Sequence, residues 1–255
     1  MPSSPSSLSP AEVSRYHRQI SLAFWGLEAQ ERVKSSRVLM AGAGGVASCA
    51  AVYLIAGGLG AMRLVDQSRV SLSDLNHHIL YRERDLGKPR AATAESRLKE
   101  LNPFAIVESR DKTISGHNIS WLTKGCHLIV DALNQTQVGE ILNQAAVRRG
   151  IPLIVVQMQG TKGHLTTFWA GNGPCRACVF PEPPISNVTA RGQARLGPVS
   201  GILGTLVALE ALCILGGLGP ALCGRMLTFD AADFLFTQTF LRADSRCPVC
   251  QREEV

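Results

Sequence analysis

Four cysteines in two identical pairs, Cys175-Arg176-Ala177-Cys178 and Cys247-Pro248-Val249-Cys250, carry the sharpest chemical signal in this chain. Each C-x-x-C presents two thiolates to one side. Two such knuckles complete a tetrahedral four-sulfur shell that suits zinc and leaves no position open to a substrate. One pair alone reads equally as a redox dithiol or as two buried cysteines; two pairs with the same spacing favour a structural zinc ion. That ion would tie the chain end to the segment near residue 176 and close about 68 intervening residues into a loop, which stabilises the fold.

A second set of residues suits phosphate chemistry. Gly42, Gly44 and Gly45 lie in Gly42-Ala43-Gly44-Gly45-Val46-Ala47, between an apolar run, residues 37–41, and a helical stretch, residues 48–56. Glycines let the backbone approach a phosphate closely, and the free N–H groups at a helix start favour its negative charge. A further strand, residues 61–65, ends in Asp66, about 20 residues beyond the glycines, where a carboxylate accepts hydrogen bonds from a ribose. Strand, glycine turn, helix, strand and carboxylate together point to nucleotide binding. A nicotinamide- or flavin-dependent oxidoreductase shares these features and must be weighed beside an ATP-using enzyme.

The surrounding elements follow from periodicity. A helix is expected over residues 90–101, ended by Asn102-Pro103, strands at 106–107, 128–130 and 152–156, and a helix over about 138–149. Strands alternating with helices imply a largely parallel sheet with ligands at the carboxyl ends of its strands. From Gly163 the pattern changes: residues 164–169 alternate as a strand of an antiparallel region, and a last strand pair is expected around 226–242. The fold class is therefore α/β, a doubly wound, Rossmann-like mixed sheet, parallel in its N-terminal half and antiparallel in its C-terminal part, with a structural zinc site. Residues 1–14 are expected to form a disordered lead-in and residues 15–255 one nucleotide-binding domain.

Composition narrows the function further. The chain is 45% apolar and 18% charged, ordinary for a soluble globular protein with a real core. Its net charge of +6 is spread along the sequence and only 5% of residues are aromatic, which fits a phosphate-bearing or acidic partner better than a nucleic acid. The apolar run 199–223 is broken by Glu210 and several glycines, so a buried helix is expected and no membrane span. The N-terminal Ser/Pro-rich stretch has neither the basic start nor the apolar core of a signal peptide. Cys49, Cys126, Cys213 and Cys223 read as small buried hydrophobes that require no oxidising compartment, so the cytoplasm is the expected location.

Taken in order, these segments resemble the ThiF/MoeB/HesA family, bacterial relatives of the ubiquitin-activating enzymes. The resemblance rests on Arg15-Tyr16-His17-Arg18-Gln19, Gly26 with Gln30, the glycine turn, Val70-Ser71-Leu72-Ser73-Asp74-Leu75-Asn76, Gly87-Lys88-Pro89-Arg90, Asn102-Pro103, Gly197-Pro198, Ala208-Leu209-Glu210-Ala211 and both knuckles. It implies an adenylyltransferase that uses ATP and magnesium to activate the C-terminal carboxylate of a small ubiquitin-fold carrier ending in Gly-Gly, working as a homodimer. It also implies roles for single residues. Gly42, Gly44, Gly45, Asp66, Ser73, Asn76, His77 and Arg90 would hold the nucleotide, and Arg18 would reach the phosphates in a neighbouring subunit's site.

Several positions depart from the family pattern. Asp74 replaces an asparagine, His77 the arginine of an Asn-Arg-Gln triplet, and His78 its glutamine. Arg90 stands where the family has a phosphate-binding lysine, and Asn134 where it has the magnesium aspartate. A neutral amide is a poor ligand for a small hard cation. Asp74 is read first as a capping residue and second as a substitute for the missing carboxylate. Adjacent histidines point apart more often than together, so a metal shared by His77 and His78 is not expected. Residues 186–195 hold no cysteine, so no thioester mechanism is expected. Adenylation without a covalent link, or a degenerate relative acting as a nucleotide-binding or scaffold protein, are the two readings that follow.

Overall fold

The computed structural model describes residues 7–180 and 196–251. Its strands are β1 (Arg37–Ala41), β2 (Ala61–Val65), β3 (Ile106–Arg110), β4 (Leu128–Asp131), β5 (Leu153–Gln159), β6 (Lys162–Phe168), β7 (Arg225–Asp230) and β8 (Leu235–Phe240). Among the described residues they form one sheet in the order β3-β2-β1-β4-β5-β6-β7-β8. Pairing is parallel from β3 to β5 and antiparallel from β5 to β8, as the change of pattern at Gly163 implies.

The helices are α1 (Pro10–Arg15), α2 (His17–Ile20), α3 (Gly26–Ser35), α4 (Gly45–Ala56), α5 (Arg90–Leu101), α6 (Ile119–Leu122), α7 (Thr136–Arg149), α8 (Arg176–Val179) and α9 (Gly197–Gly216). The two faces of the sheet bury separate clusters because successive strand residues point opposite ways. Val38, Met40, Leu64 and Val130 face one layer with α4, α5 and α9, while Leu39, Ala41, Val65 and Ile129 face the other with α6 and α7. Both faces of the central strands are thus apolar, which is why they read as unbroken hydrophobic runs.

Two expectations need correction. The lead-in through residue 14 gives way to α1, started by a capping box in which Ser9 Oγ accepts from the Glu12 N–H and Glu12 Oε2 accepts from the Ser9 N–H. Pro10 at the first helical position fits because its missing N–H has no partner to lose there. Residues 1–6 lie outside the described ones. The four further cysteines also divide: Cys49 and Cys126 are buried, but Cys213 and Cys223 only partly so.

Helix α9 is long and apolar enough to cross a membrane, yet it packs as a core helix, with Val199, Leu203, Val207 and Ala211 buried. Its one acid, Glu210, is buried and fully engaged. The carboxylate accepts hydrogen bonds from Thr167 Oγ1 at 2.7 Å and from the backbone N–H groups of Leu222 and Ala221 at 3.0 and 3.1 Å. A buried charge with three donors is a fixed internal cap, and it anchors the loop before β7 to α9.

Candidate nucleotide and metal sites

The sheet order reverses between β1 and β4, and the segments leaving their carboxyl ends build the candidate site. After β1, Gly42 takes φ +106, a conformation that favours glycine, and its N–H bonds the Val65 carbonyl at 2.8 Å. The turn then delivers Gly44 and Gly45 to the start of α4. A Cβ on Gly45 would lie 2.9 Å from the His77 carbonyl oxygen and 3.1 Å from the Ser200 Cβ, so the turn is closed over by the 76–78 segment and by α9.

Asp66 is buried and braces this turn. Its Oδ2 accepts from the Ala43 N–H at 2.8 Å and its Oδ1 from the Ser68 N–H at 2.7 Å. Sequence reasoning placed a ribose on this carboxylate; the structure shows it fixing the shape of the glycine turn. Tyr81, which sequence reasoning missed, adds a second brace by donating from its hydroxyl to the Ala43 carbonyl at 2.7 Å. Burial, and then the nearby Asp66 charge, hold the Tyr81 phenol well above its usual range, so it is a permanent donor at neutral pH. Nothing in the local sequence pattern marks Tyr81, because its partner is a backbone oxygen 38 residues away.

Arg90 and Asp74 form the strongest ion pair near the turn. Arg90 Nη2 and Nε lie 2.6 and 3.1 Å from Asp74 Oδ2, which also accepts from the Ser71 N–H at 2.8 Å. Burial pushes the Asp74 carboxyl up, but the Ser71 N–H, Arg90 and His78 more than offset it and hold its pKa below the usual value. Asp74 is thus the capping residue it was first read as, closing a short 3-10 turn at Leu72–Asp74. Ser73 is exposed, its hydroxyl 3.0 Å from that of Ser71, and Asn76 Oδ1 meets His77 Nδ1 at 2.6 Å.

The expectation that His77 and His78 point apart is overturned. Their ring centroids are 4.1 Å apart, and one ligand atom from each of Asp74, His77 and His78 lies within 4.8 Å of the others. The rule fails because it belongs to strands and these residues sit in a turn: the N–H groups of both histidines bond the Asp74 carbonyl, at 3.1 and 2.8 Å.

On the β4 side, Asn134 stands in left-handed backbone at φ +55, where Asn and Asp are tolerated best, and its amide donates weakly to the Met158 carbonyl at 3.5 Å. Asp131 is the only carboxylate on residues 131–135. Burial raises it to about 6, an N–H from Leu133 and the charge of Arg176 offsetting only part of the cost. A neutral amide at 134 and a buried, reluctantly ionised acid at 131 do not fit a magnesium ion. A crevice of about 30 Å³ opens between the ends of β2 and β4, lined by Asp66, Ser68, Leu133 and Gln135 among others.

Arg18 is exposed on α2 and is not brought to this site within one chain. Its neighbours pack at the other end of α4. Gln19 and Gln30 donate to the Gly57 carbonyl, and Tyr16 accepts from Asn102. Helix α4 has 12 residues, so about 18 Å of helix separates that end from the glycine turn.

The four knuckle cysteines do meet. Sγ separations are 3.6 Å for Cys175 and Cys247, 3.5 Å for Cys178 and Cys250, and 3.8 Å for Cys175 and Cys178. A tetrahedron with Zn–S of about 2.3 Å has edges of about 3.8 Å, so the sulfurs fit a structural zinc ion. Burial pushes the Cys247 thiol up, yet backbone N–H groups of Cys250 and Val249 and the neighbouring thiols draw it below its usual value, as a thiolate ligand requires.

A family model described as the ThiF family matches residues 16–249. The chain belongs to the ThiF family. Among ThiF-family relatives it is 36% identical to a sulfur carrier protein adenylyltransferase of Thermus thermophilus, covering 95% of this chain and 92% of that protein. It is also 36% identical to the heterocyst HesA protein of Trichormus variabilis, covering 95% and 90%. Solved structures with the same fold include PaaA, 25% identical with a TM-score of 0.81 over 95% of this chain and 77% of that one. MccB of E. coli solved with succinimide, 19% identical, has a TM-score of 0.83 over 92% of this chain and 74% of that one. Within this ThiF-family fold the four knuckle cysteines meet and Asp66 braces the glycine turn, while position 134 is a neutral amide. The cysteine-free stretch 186–195 lies outside the described residues.

Proposed function

We propose that this ThiF-family chain is an ATP-dependent adenylyltransferase that activates the C-terminal carboxylate of a small Gly-Gly-ended carrier protein, or a related peptide carboxylate. A carboxylate oxygen attacks the α-phosphorus, an acyl–O–P bond forms, the α,β-phosphoanhydride breaks and pyrophosphate leaves. The observation that carries this reading is the glycine turn braced by Asp66 at the head of α4, which aims backbone N–H groups at a phosphate. The relative named sulfur carrier protein adenylyltransferase supports the substrate class.

In this reading Gly42, Gly44, Gly45 and Asp66 hold the nucleoside and first phosphates, and Arg90 swings from Asp74 to the phosphates when ATP enters. Arg18 acts from a second copy in a cytoplasmic homodimer, which its distance from the glycine turn along α4 favours. The narrow crevice beside Asp66 opens as Gln67 and Gln135 turn outward. A catalytically degenerate relative is the second reading, favoured by the amide at Asn134 and by the engagement of Arg90 with Asp74. ATP–pyrophosphate exchange with a panel of Gly-Gly-ended carriers separates them. Carrier-dependent exchange is expected; nucleotide binding with no exchange on any carrier leaves the degenerate reading.

A further inference from the structure

We propose that Asp74, His77 and His78 form a second metal site, for a divalent transition ion such as zinc or cobalt, at the edge of the glycine turn. Asp74 Oδ1 and His78 Nδ1 are 3.6 Å apart, too long for a hydrogen bond. Two ligands held about 2.0–2.1 Å from one ion stand about 3.4 Å apart at tetrahedral angles, so this spacing is close to the edge of a coordination shell. His77 brings its ring to the same place, and one ligand atom of each residue lies within 4.8 Å of the others.

The supporting contacts orient these donors. Asp74 splits its two oxygens: Oδ2 takes Arg90 and the Ser71 N–H, which turns Oδ1 toward His78. The Asn76 side-chain Oδ1, 2.6 Å from His77 Nδ1, accepts from that nitrogen and fixes it as the N–H, so the ring's lone pair sits on Nε2. The backbone does the rest. Bonds from the His77 and His78 N–H groups to the Asp74 carbonyl wrap all three residues around one turn.

Two imidazoles and one carboxylate form a donor set for zinc, cobalt or iron(II) rather than magnesium, and three protein ligands leave a position open. Both rings border the glycine turn. His78 Nε2 lies 3.7 Å from where a Cβ on Gly44 would be, and His77 Cδ2 lies 3.1 Å from the same point on Gly45. An ion there stands beside the N-terminus of α4, and both attract the same anion. A phosphate on the glycine turn would complete its shell; this consequence alone rests on the proposed adenylation, the metal site itself does not. Arg90 shares Asp74 and repels a cation, so the site is weaker than the four-cysteine site and fills after it.

The test uses the tag-free full-length chain with zinc retained in the knuckles, titrated with cobalt(II) alone. A second equivalent is expected, with the weak visible bands of nitrogen and oxygen ligation and no thiolate charge-transfer band. His77→Ala, at a half-buried position, should weaken that equivalent at least about tenfold while the knuckle zinc and the far-ultraviolet spectrum stay unchanged. A chain that binds only one metal at saturation overturns the proposal. So does a second equivalent that survives His77→Ala, or one that carries thiolate bands. No nucleotide enters the titration, so a failure of pyrophosphate exchange leaves this result standing and the reverse also holds.

Discussion

Arg176, the second residue of the first cysteine knuckle, is buried near Asp131 at the carboxyl end of β4, and the two side chains flank the missing side chain of Gly139. A Cβ on Gly139 would lie 3.1 Å from Arg176 Nε and 3.2 Å from Asp131 Oδ2. Asn143, one turn further along α7, accepts from the Arg176 N–H at 2.9 Å and donates to Cys175 Sγ at 3.8 Å. The zinc site therefore does more than close a loop. It delivers a guanidinium to the root of the segment that carries Asn134.

That pair gives stability a pH dependence with a definite sign. The folded Asp131 carboxyl titrates near 6, above an unfolded value of about 3.9. Its contribution is fully present below about pH 4 and is lost as pH rises through 6, costing on the order of 3 kcal/mol at pH 8. Asp131→Asn keeps the acceptor for the Leu133 N–H and removes the titration. Urea unfolding should show the variant more stable than the parent by about 1–3 kcal/mol at pH 8, with roughly half that gain at pH 5. An equal gain at both pH values would show that the acid is not raised.

Loss of the zinc clip should be felt in both places it connects. Cys250→Ser removes one ligand from a shell whose sulfurs are 3.5–3.8 Å apart. It should lower stability by about 3 kcal/mol or more and Tm by about 6–12 °C, read by calorimetry. Because Arg176 rides on the knuckle, nucleotide affinity should fall as well. An unchanged Tm in the presence of a strong chelator would sink the structural reading of the site.

The Asp74–Arg90 pair is buried enough to be measured by a double-mutant cycle. Arg90→Met strands a carboxylate that is 5% exposed, which should cost about 3–5 kcal/mol. Adding Asp74→Asn removes the stranded charge while retaining an acceptor for Ser71, so the double variant should recover about 2 kcal/mol of that loss. Additive losses would mean that the 2.6 Å contact carries little energy.

Gly45→Ala tests how closely the 76–78 segment seals the glycine turn. The added methyl would meet the His77 backbone oxygen at 2.9 Å, and a backbone atom cannot step aside as a side chain can. The expected outcome is a loss of about 1–3 kcal/mol by chemical denaturation together with weaker nucleotide binding by calorimetry. Gly44, whose Cβ would meet only the His78 ring at 3.7 Å or beyond, serves as the control and should tolerate alanine with a smaller loss.

What could be read in the sequence was what local pattern encodes. β1, β2 and α5 fall at the residues expected, because unbroken apolar runs mark doubly buried strands and Asn102-Pro103 stops a helix. The four cysteines came together because equal spacing is itself a geometric statement. The relations that shape the candidate site are not of that kind. Tyr81 reaches Ala43 across 38 residues, and Arg176 faces an acid on a strand 45 positions earlier, so neither leaves a periodic trace. The histidines were misjudged for a different reason: a rule for extended backbone was applied to a turn held by the Asp74 carbonyl.

Position 134 decides between a working adenylation site and an eroded one. Asn134 already adopts φ +55, which aspartate accepts at little cost, and its amide makes no more than a long 3.5 Å contact to the Met158 carbonyl among the described residues, so Asn134→Asp should fold as the parent does. The substitution puts an anionic oxygen where the family resemblance implies a magnesium ligand. ATP affinity measured by calorimetry in magnesium and in chelator should then differ by at least about tenfold in the variant and by less in the parent, since one added charge interaction of about 1.4 kcal/mol is a factor of ten. Exchange activity that appears only in Asn134→Asp would mean that the parent has lost adenylation. Equal magnesium dependence in both chains would instead show that the ion is held elsewhere.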